Sequence, residues 1–416
     1  MYPKVNIRKI INAFFSYTFV TAIMLNSRSV WMHLNHTGGK FAEMMLILLL
    51  MSFFGYLLTK GQVNYNYLGI TMMIVLIVTG YIGFWLLITN YKLVSGSKFI
   101  LATATILSYY YLSDVMERKE VLLRYRNVVL LVAAFSMICW FIFSILKIGS
   151  PSTHVFSTWT NTGDPKPVPS YYGIYFESQI LHGFVRNTAI FTEAPMASLQ
   201  FSIGFLIEFL VNDRVNPFNR IIFTLAILST TSTTGILLIL FFWLYTIIKA
   251  KNYNTIIALI KVTILPVALI AAVIVANVML TAKMGESSGS IRTDDFIVGM
   301  KAWSHRPLFG NGFTNAEAIK AFMGGWRSYN TGFSNSITQL LAQGGLYMFL
   351  LYMLPILSNF QNFFCHRKYR VFLVGFLYLF IFTVFTYQYV LILLVAFLSD
   401  PTYNQLDNVS KKVEKE

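Results

Sequence analysis

The chain has 416 residues, 56% hydrophobic and only 12% charged, about half the charged share of a soluble domain. A mean hydropathy of +0.61 and repeated apolar runs exclude a soluble globular protein and indicate a helical integral membrane protein. The formal charge of +15, from 32 basic against 17 acidic residues, reads as membrane topology: no basic stretch interleaved with aromatics forms a nucleic-acid groove, and no nucleic-acid partner is expected.

The first apolar run, 10–25, follows Lys4, Arg8 and Lys9 with no small-x-small cleavage site behind it, and is expected to be an uncleaved first span. Further runs fall at 41–58, 67–89, 98–114, 127–147, 189–211, 220–233, 235–248, 256–280, 334–357, 370–385 and 387–399, which gives 12 expected spans. Two divisions need an argument. The stretch 220–248 is long for one helix at 1.5 Å per residue, and Thr230-Thr-Ser-Thr-Thr-Gly235 favours a break in it. Thr386-Tyr-Gln388 plays the same part in 370–399.

Topology supports both breaks. With the N-terminus inside, the short inner loops and both termini hold 18 basic residues, and the short outer segments hold five: Arg28, Lys40, Lys92, Lys98 and Lys147. That is the positive-inside asymmetry. The expected fold is all-α, a polytopic membrane protein of about 12 transmembrane helices with two long extracytoplasmic loops carrying short surface helices. Its parts are a five-span bundle (1–147), a first outer loop (148–188), spans six to nine (189–280), a second outer loop (281–333), the C-terminal spans (334–399) and a cytoplasmic tail (400–416). Cys139 lies in an apolar run and Cys365 in a basic loop, so no disulfide is expected between them.

The first outer loop carries Pro165, Pro167 and Pro169, which predict a stiff, extended path, and the aromatics Trp159, Tyr171, Tyr172 and Phe176. Aromatics beside polar groups suit either sugar stacking or an interfacial belt. The loop runs into Arg186-Asn-Thr-Ala-Ile-Phe-Thr-Glu-Ala-Pro195. In the second loop, Thr293 reads as an N-cap, with Asp294 and Asp295 in the first helical turn. Phe296, Ile297, Met300 and Trp303 then form one apolar stripe of a helix able to lie flat on a membrane surface. Pro307 and Gly310-Asn-Gly312 end it. Thr314-Asn-Ala-Glu317 reads as a capping box for a second short helix stopping at Gly324-Gly325.

Four pieces of this chain resemble the O-antigen ligase and O-antigen polymerase (Wzy-type) superfamily of bacterial polysaccharide assembly. Arg186 to Pro195 is similar to the family's Arg-x-x-Gly-Ile-Phe-x-Glu-Pro motif, with Ala189 at the usual glycine and Ala194 inserted before the proline. Ser229-Thr-Thr-Ser-Thr-Thr-Gly235 is similar to its Ser/Thr-rich break. Arg292 with Arg306-Pro-Leu-Phe-Gly-Asn-Gly-Phe313 resembles its Pro-Leu-Phe-Gly-x-Gly signature. Ser334-Asn335 with Gly344-Gly345 resembles its His-Asn…Gly stretch, with Ser334 where the ligase branch has its catalytic histidine. That serine points to the polymerase branch.

The resemblance implies a membrane-embedded glycosyltransferase of the bacterial cytoplasmic membrane, with both termini cytoplasmic. It would join undecaprenyl-pyrophosphate-linked oligosaccharide repeats on the outer face into O-antigen, capsule or exopolysaccharide. No cofactor or metal is implied; the implied partners are a flippase and a chain-length regulator. Arg292 and Arg186 are the expected phosphate-binding cations. Glu193 is the expected general base, with His305, His182 and Glu177 as alternatives. Arg306, Arg327, Asn335 and an anion nest at Gly310 and Gly312 are the expected substrate contacts. The rival readings are the ligase, a lipid-linked oligosaccharide flippase, and a structural or sensory membrane protein. Glu208 and Lys261, inside spans, are expected to snorkel.

Overall fold

The computed structural model describes residues 7–60, 65–159, 165–181, 183–210, 216–249, 287–327 and 332–400. The described chain is mostly helical. Among the described residues four helices are long and apolar enough to cross a membrane: Gly38–Lys60, Tyr67–Thr89, Val115–Ile145 and Ser336–Ser358. In chain order the first helices are α1 (Ile7–Leu25), α2 (Gly38–Lys60), α3 (Tyr65–Thr89), α4 (Leu93–Leu112) and α5 (Val115–Cys139), the last prolonged by a π turn at Trp140–Ile145. Then follow α6 (Ala194–Leu210), α7 (Pro217–Ser229), α8 (Thr233–Lys249), α9 (Ser287–His305) and α10 (Glu317–Lys320). The chain closes with α11 (Ser336–Ser358), α12 (Gln361–Cys365), α13 (Arg367–Phe382) and α14 (Tyr389–Leu398).

Both expected breaks are present. α7 stops at Ser229 and α8 starts at Thr233; α13 stops at Phe382 and α14 starts at Tyr389. The apolar run 256–280 and Lys261 lie outside the described residues. Leu76, Leu87 and Leu131 stand outward at 67–74% exposure, as side chains facing lipid would.

One departure from an all-helical chain lies in 148–193. Strands β1 (Thr153–Ser157), β2 (Lys166–Tyr171) and β3 (Tyr175–Phe176) form an antiparallel sheet in which Val155 pairs with Val168; β4 (Ile180–Leu181) and β5 (Phe184–Val185) form a small hairpin. The prolines keep β2 extended, and Pro167 and Pro169 stand two apart, so their missing N–H groups fall on one edge of the strand. Tyr171, Tyr175 and Phe176 are buried, with Phe143 stacked on Tyr171.

Polar layers close both ends of the bundle. At one end Lys60 meets Asp114 and Glu117, each at 3.2 Å, and buried Arg118 pairs with buried Asp400 at 2.9 Å. Glu208 belongs to this layer, and here the structure corrects the snorkelling expectation. Its side chain is fully buried and paired with Arg126 of α5. A carboxylate sealed between two packed helices reaches a cation more readily than it reaches water. The other end gathers the α1–α2 connection, the 146–193 segment, the α7–α8 and α13–α14 breaks, and α9 with the turn behind it.

Candidate functional site

The site is assembled at this second end from four separate stretches. Asn187 anchors the first. Its Nδ2 donates to Ser136 and Ser229 Oγ (3.2 and 2.9 Å), its N–H to the Ser229 carbonyl (3.1 Å), and its Oδ1 accepts from Ala189 N–H (3.0 Å). Ala189 is thereby held at φ +49°, a left-handed backbone that suits glycine. Arg186 Nε donates to the Thr230 carbonyl at 2.8 Å. The Ser/Thr break between α7 and α8 thus holds the arginine segment through the free carbonyls at a helix C-terminus.

Gln179 brings the two ends of this segment together. Its carbonyl accepts from Arg186 N–H (3.1 Å) and its Oε1 from Ala194 N–H (3.0 Å). Residues 190–192 lie along the α1–α2 connection: Val30 N–H donates to the Ile190 carbonyl (2.9 Å) and Thr192 N–H to the Arg28 carbonyl (3.1 Å). This pairing sets Arg28 Nη1 3.5 Å from Glu193 Oε1. The Arg28 guanidinium also lies over the Trp159 ring at 4.4 Å. Burial pushes the Glu193 carboxyl above the usual range, against the pull of Arg28, Arg186 and Trp159. Burial lowers Arg186 to about 10, Glu193 opposing and Arg292 adding to the shift. Arg186 therefore stays charged at neutral pH, within electrostatic reach of both Glu193 and Arg292.

Arg292 comes from α9. The helix already runs at Ser287, ahead of Thr293, so Asp294 and Asp295 sit inside it and are not first-turn acids. Their partner is Arg327, whose fully buried guanidinium lies 2.8 Å from each carboxylate and 2.8 Å from the Gly332 carbonyl. The expectation of Arg327 as a sugar or phosphate contact gives way to a clamp that fixes α9. Ser334 donates to Asp295 at 2.6 Å, so the hydroxyl at the histidine position serves that clamp too. Ile291, Asp295, Val298 and Ala302 form the buried face of α9, and Gly299 lets it approach α11, because a Cβ there would meet Thr338 Cβ at 2.7 Å. The stripe of Phe296 and Ile297 is on the exposed side, at 52% and 46% exposure.

The Pro-Leu-Phe-Gly-Asn-Gly turn is not free to cradle an anion. Gly310 N–H donates to the Arg306 carbonyl (2.9 Å), Asn311 N–H to Ala342 (3.1 Å) and Gly312 N–H to Gln343 (2.8 Å). In return Leu346 and Tyr347 N–H donate to the carbonyls of Pro307 (2.8 Å) and Leu308 (2.9 Å). The turn and the Gly344-Gly345 kink of α11, with Gly345 at φ +64°, are two halves of one lock. The expected nest at Gly310 and Gly312 is corrected on this ground: its donors are spent.

Further expectations change. His305 closes α9, thirteen residues beyond Arg292, which is about 20 Å along the axis; the two cannot act on one bond. Arg306 is exposed beside it. Asn335 caps α11 through its Oδ1, which accepts from Thr338 N–H at 3.1 Å, and its Nδ2 is the donor that a substrate contact would use. The short helix α10 is capped by Asn315 Oδ1, which accepts from Ala318 N–H at 3.2 Å, and not by a Thr314–Glu317 box; Thr314 takes φ +51°. Glu177 accepts from Ser144 (2.7 Å) and Tyr171 (3.3 Å) within the sheeted loop. His182 lies outside the described residues.

Arg28 and Trp159 were missed as a pair. The available signal was that Arg28 is one of only five basic residues in the short segments that the topology leaves poor in charge. Arg28 therefore faces Glu193, with Trp159 beneath the Arg28 guanidinium, and Arg186 lies within electrostatic reach of both Glu193 and Arg292. Among the described residues no group of His, Cys, Asp and Glu could hold a metal ion. The chain matches no family model and no curated protein.

Proposed function

We propose that the protein is a membrane-embedded glycosyltransferase that polymerises oligosaccharide repeats carried on a lipid pyrophosphate. The observation that supports this reading is the Arg28–Glu193 contact at the loop end of an apolar bundle, with Arg186 within electrostatic reach of Glu193 and of Arg292. In the twelve-span topology with both termini cytoplasmic, that end faces outward. There a hydroxyl oxygen of one lipid-linked repeat attacks the anomeric carbon of another. The bond from that carbon to the pyrophosphate oxygen breaks, its electron pair leaves on the pyrophosphate, and the hydroxyl proton passes to Glu193. Arg186, Arg292 and Arg28 stabilise the charge that builds on the leaving group. Attack and departure on opposite faces invert the anomeric centre.

The bond between Ser334 and Asp295 favours polymerase over ligase, since the position of the ligase's histidine holds no base here. Each arginine–phosphate contact should contribute about 1.5–3 kcal/mol, so losing one should slow turnover on the order of 10- to 150-fold. The test is to incubate purified protein with its lipid-linked repeat and no other acceptor, beside Arg186→Ala and Arg292→Ala. Products spaced by one repeat, lost in both variants, support the reading. Turnover only when a different acceptor is added indicates a ligase. Movement of the lipid across vesicles without chemistry indicates a transporter.

A further inference from the structure

We infer that Glu193 is a displaceable counter-ion: its carboxylate occupies the anion position beside Arg28 until a substrate phosphate displaces it. This rests on the lipid-pyrophosphate reading of the same site. Neighbouring arginines need an anion, and Glu193 is the carboxylate that faces Arg28, with Arg186 within electrostatic reach. Its contact with Arg28 is long, 3.5 Å, and its side chain keeps 26% exposure. The carboxylate is therefore neither tightly held nor sealed off from solutes.

The neighbouring carboxylates contrast with it. Asp294 and Asp295 hold Arg327 at 2.8 Å each, and Glu177 is engaged by Ser144 and Tyr171. Those acids are fixed in place, and Glu193 is not. Arg186 spends its Nε on the Thr230 carbonyl, which aims the rest of the guanidinium while its backbone is held by Gln179. A phosphate carries more charge than a carboxylate and can accept from more than one arginine at once, so it wins the exchange. The released carboxylate stays within one side-chain length and is then free to take the acceptor's proton. Substrate binding and activation of the base become one event.

The exchange makes an opposite prediction for binding and for turnover. Inorganic pyrophosphate is titrated into the purified full chain by calorimetry, and turnover is followed on the lipid-linked repeat. Glu193→Gln keeps the size and the hydrogen-bond acceptor but removes the charge. It should bind pyrophosphate on the order of tenfold more tightly than wild type, and its turnover should fall by at least 100-fold. Glu193→Ala should show the same gain, which guards against an effect peculiar to the amide. Pyrophosphate affinity that is unchanged or weaker in both variants overturns the inference, because the carboxylate then does not compete for the site. Binding that persists in Arg186→Ala and Arg292→Ala overturns the lipid-pyrophosphate reading itself, and the inference with it.

Discussion

Substituting Gly345 by alanine should break the lock that fixes α9 to the bundle. A Cβ at this position would lie 2.3 Å from the Leu308 carbonyl oxygen and 2.5 Å from Gly310 N. Both are backbone atoms, so no side chain can swing aside. The residue also sits at φ +64°, which costs alanine about 1–2 kcal/mol. Relieving the clash means separating the two segments and losing the four backbone hydrogen bonds, of 2.8–3.1 Å, between 307–312 and 342–347. At about 0.5–1.5 kcal/mol each, the total is roughly 3–8 kcal/mol, comparable with the whole stability of many proteins. The assay is thermal unfolding in detergent, with hydrogen exchange of the 307–312 amides as the local probe. Gly345→Ala should melt well below wild type or fail to assemble, and those amides should lose protection. An anion nest predicts something else: Gly310→Ala would lose phosphate binding at an unchanged melting temperature. That result, or a Gly345→Ala protein with wild-type melting and protection, refutes the reasoning.

Ala189→Gly should raise stability by about 1 kcal/mol, because Ala189 is at φ +49° and the native bonds of Asn187 are kept; a shift in the detergent melting temperature reads this directly. Glu208→Leu should destabilise by about 3–5 kcal/mol, since it strands the buried Arg126, and adding Arg126→Leu should recover much of the loss. His33 is pushed down to about 4 by burial, with Arg28 adding to the shift and the Ser29 carbonyl opposing it. The unfolded imidazole therefore binds its proton first, and the stability of the 28–34 connection should fall as pH drops from about 6.5 to about 4. Hydrogen exchange at pH 7 and pH 5 checks this, and His33→Phe should abolish the dependence.

Much of the helix pattern was legible because apolar runs and polar breaks are local properties. Thr230 to Gly235 and Thr386 to Gln388 interrupt their runs with hydroxyls, and the helices stop there. Arg186, Glu193 and Arg292 were legible as chemistry placed on one end of the bundle. What escaped depends on contacts across the chain. Ser287-Ser-Gly-Ser290 precedes the N-cap expected at Thr293, yet it is already part of α9, whose buried face packs on α11 with Arg327 clamping it from a later segment. The turn at Gly310 and Gly312 offers backbone donors in sequence, and only the partner at Ala342 and Gln343 reveals that they are used. Arg28 counted as a stray outer charge because Glu193 stands 165 residues away. Glu208 looked like a residue near a helix end, since its pairing with Arg126 is invisible along a single helix.

The four motif stretches fall into two packed pairs. The arginine segment is anchored on the Ser/Thr break, and the Pro-Leu-Phe-Gly turn is interlocked with the glycine kink of α11. Most of their residues hold backbone in place. The charges they hold, Arg186, Glu193 and Arg292, are with Arg28 the ones the proposed function assigns to substrate.

The most direct test is to determine the structure of the protein with an undecaprenyl pyrophosphate bound. The account predicts the two phosphates among Arg28, Arg186 and Arg292, with the Glu193 carboxylate moved off Arg28. Phosphate density at the Gly310–Gly312 turn, or beside Arg306 at the far end of α9, would contradict it.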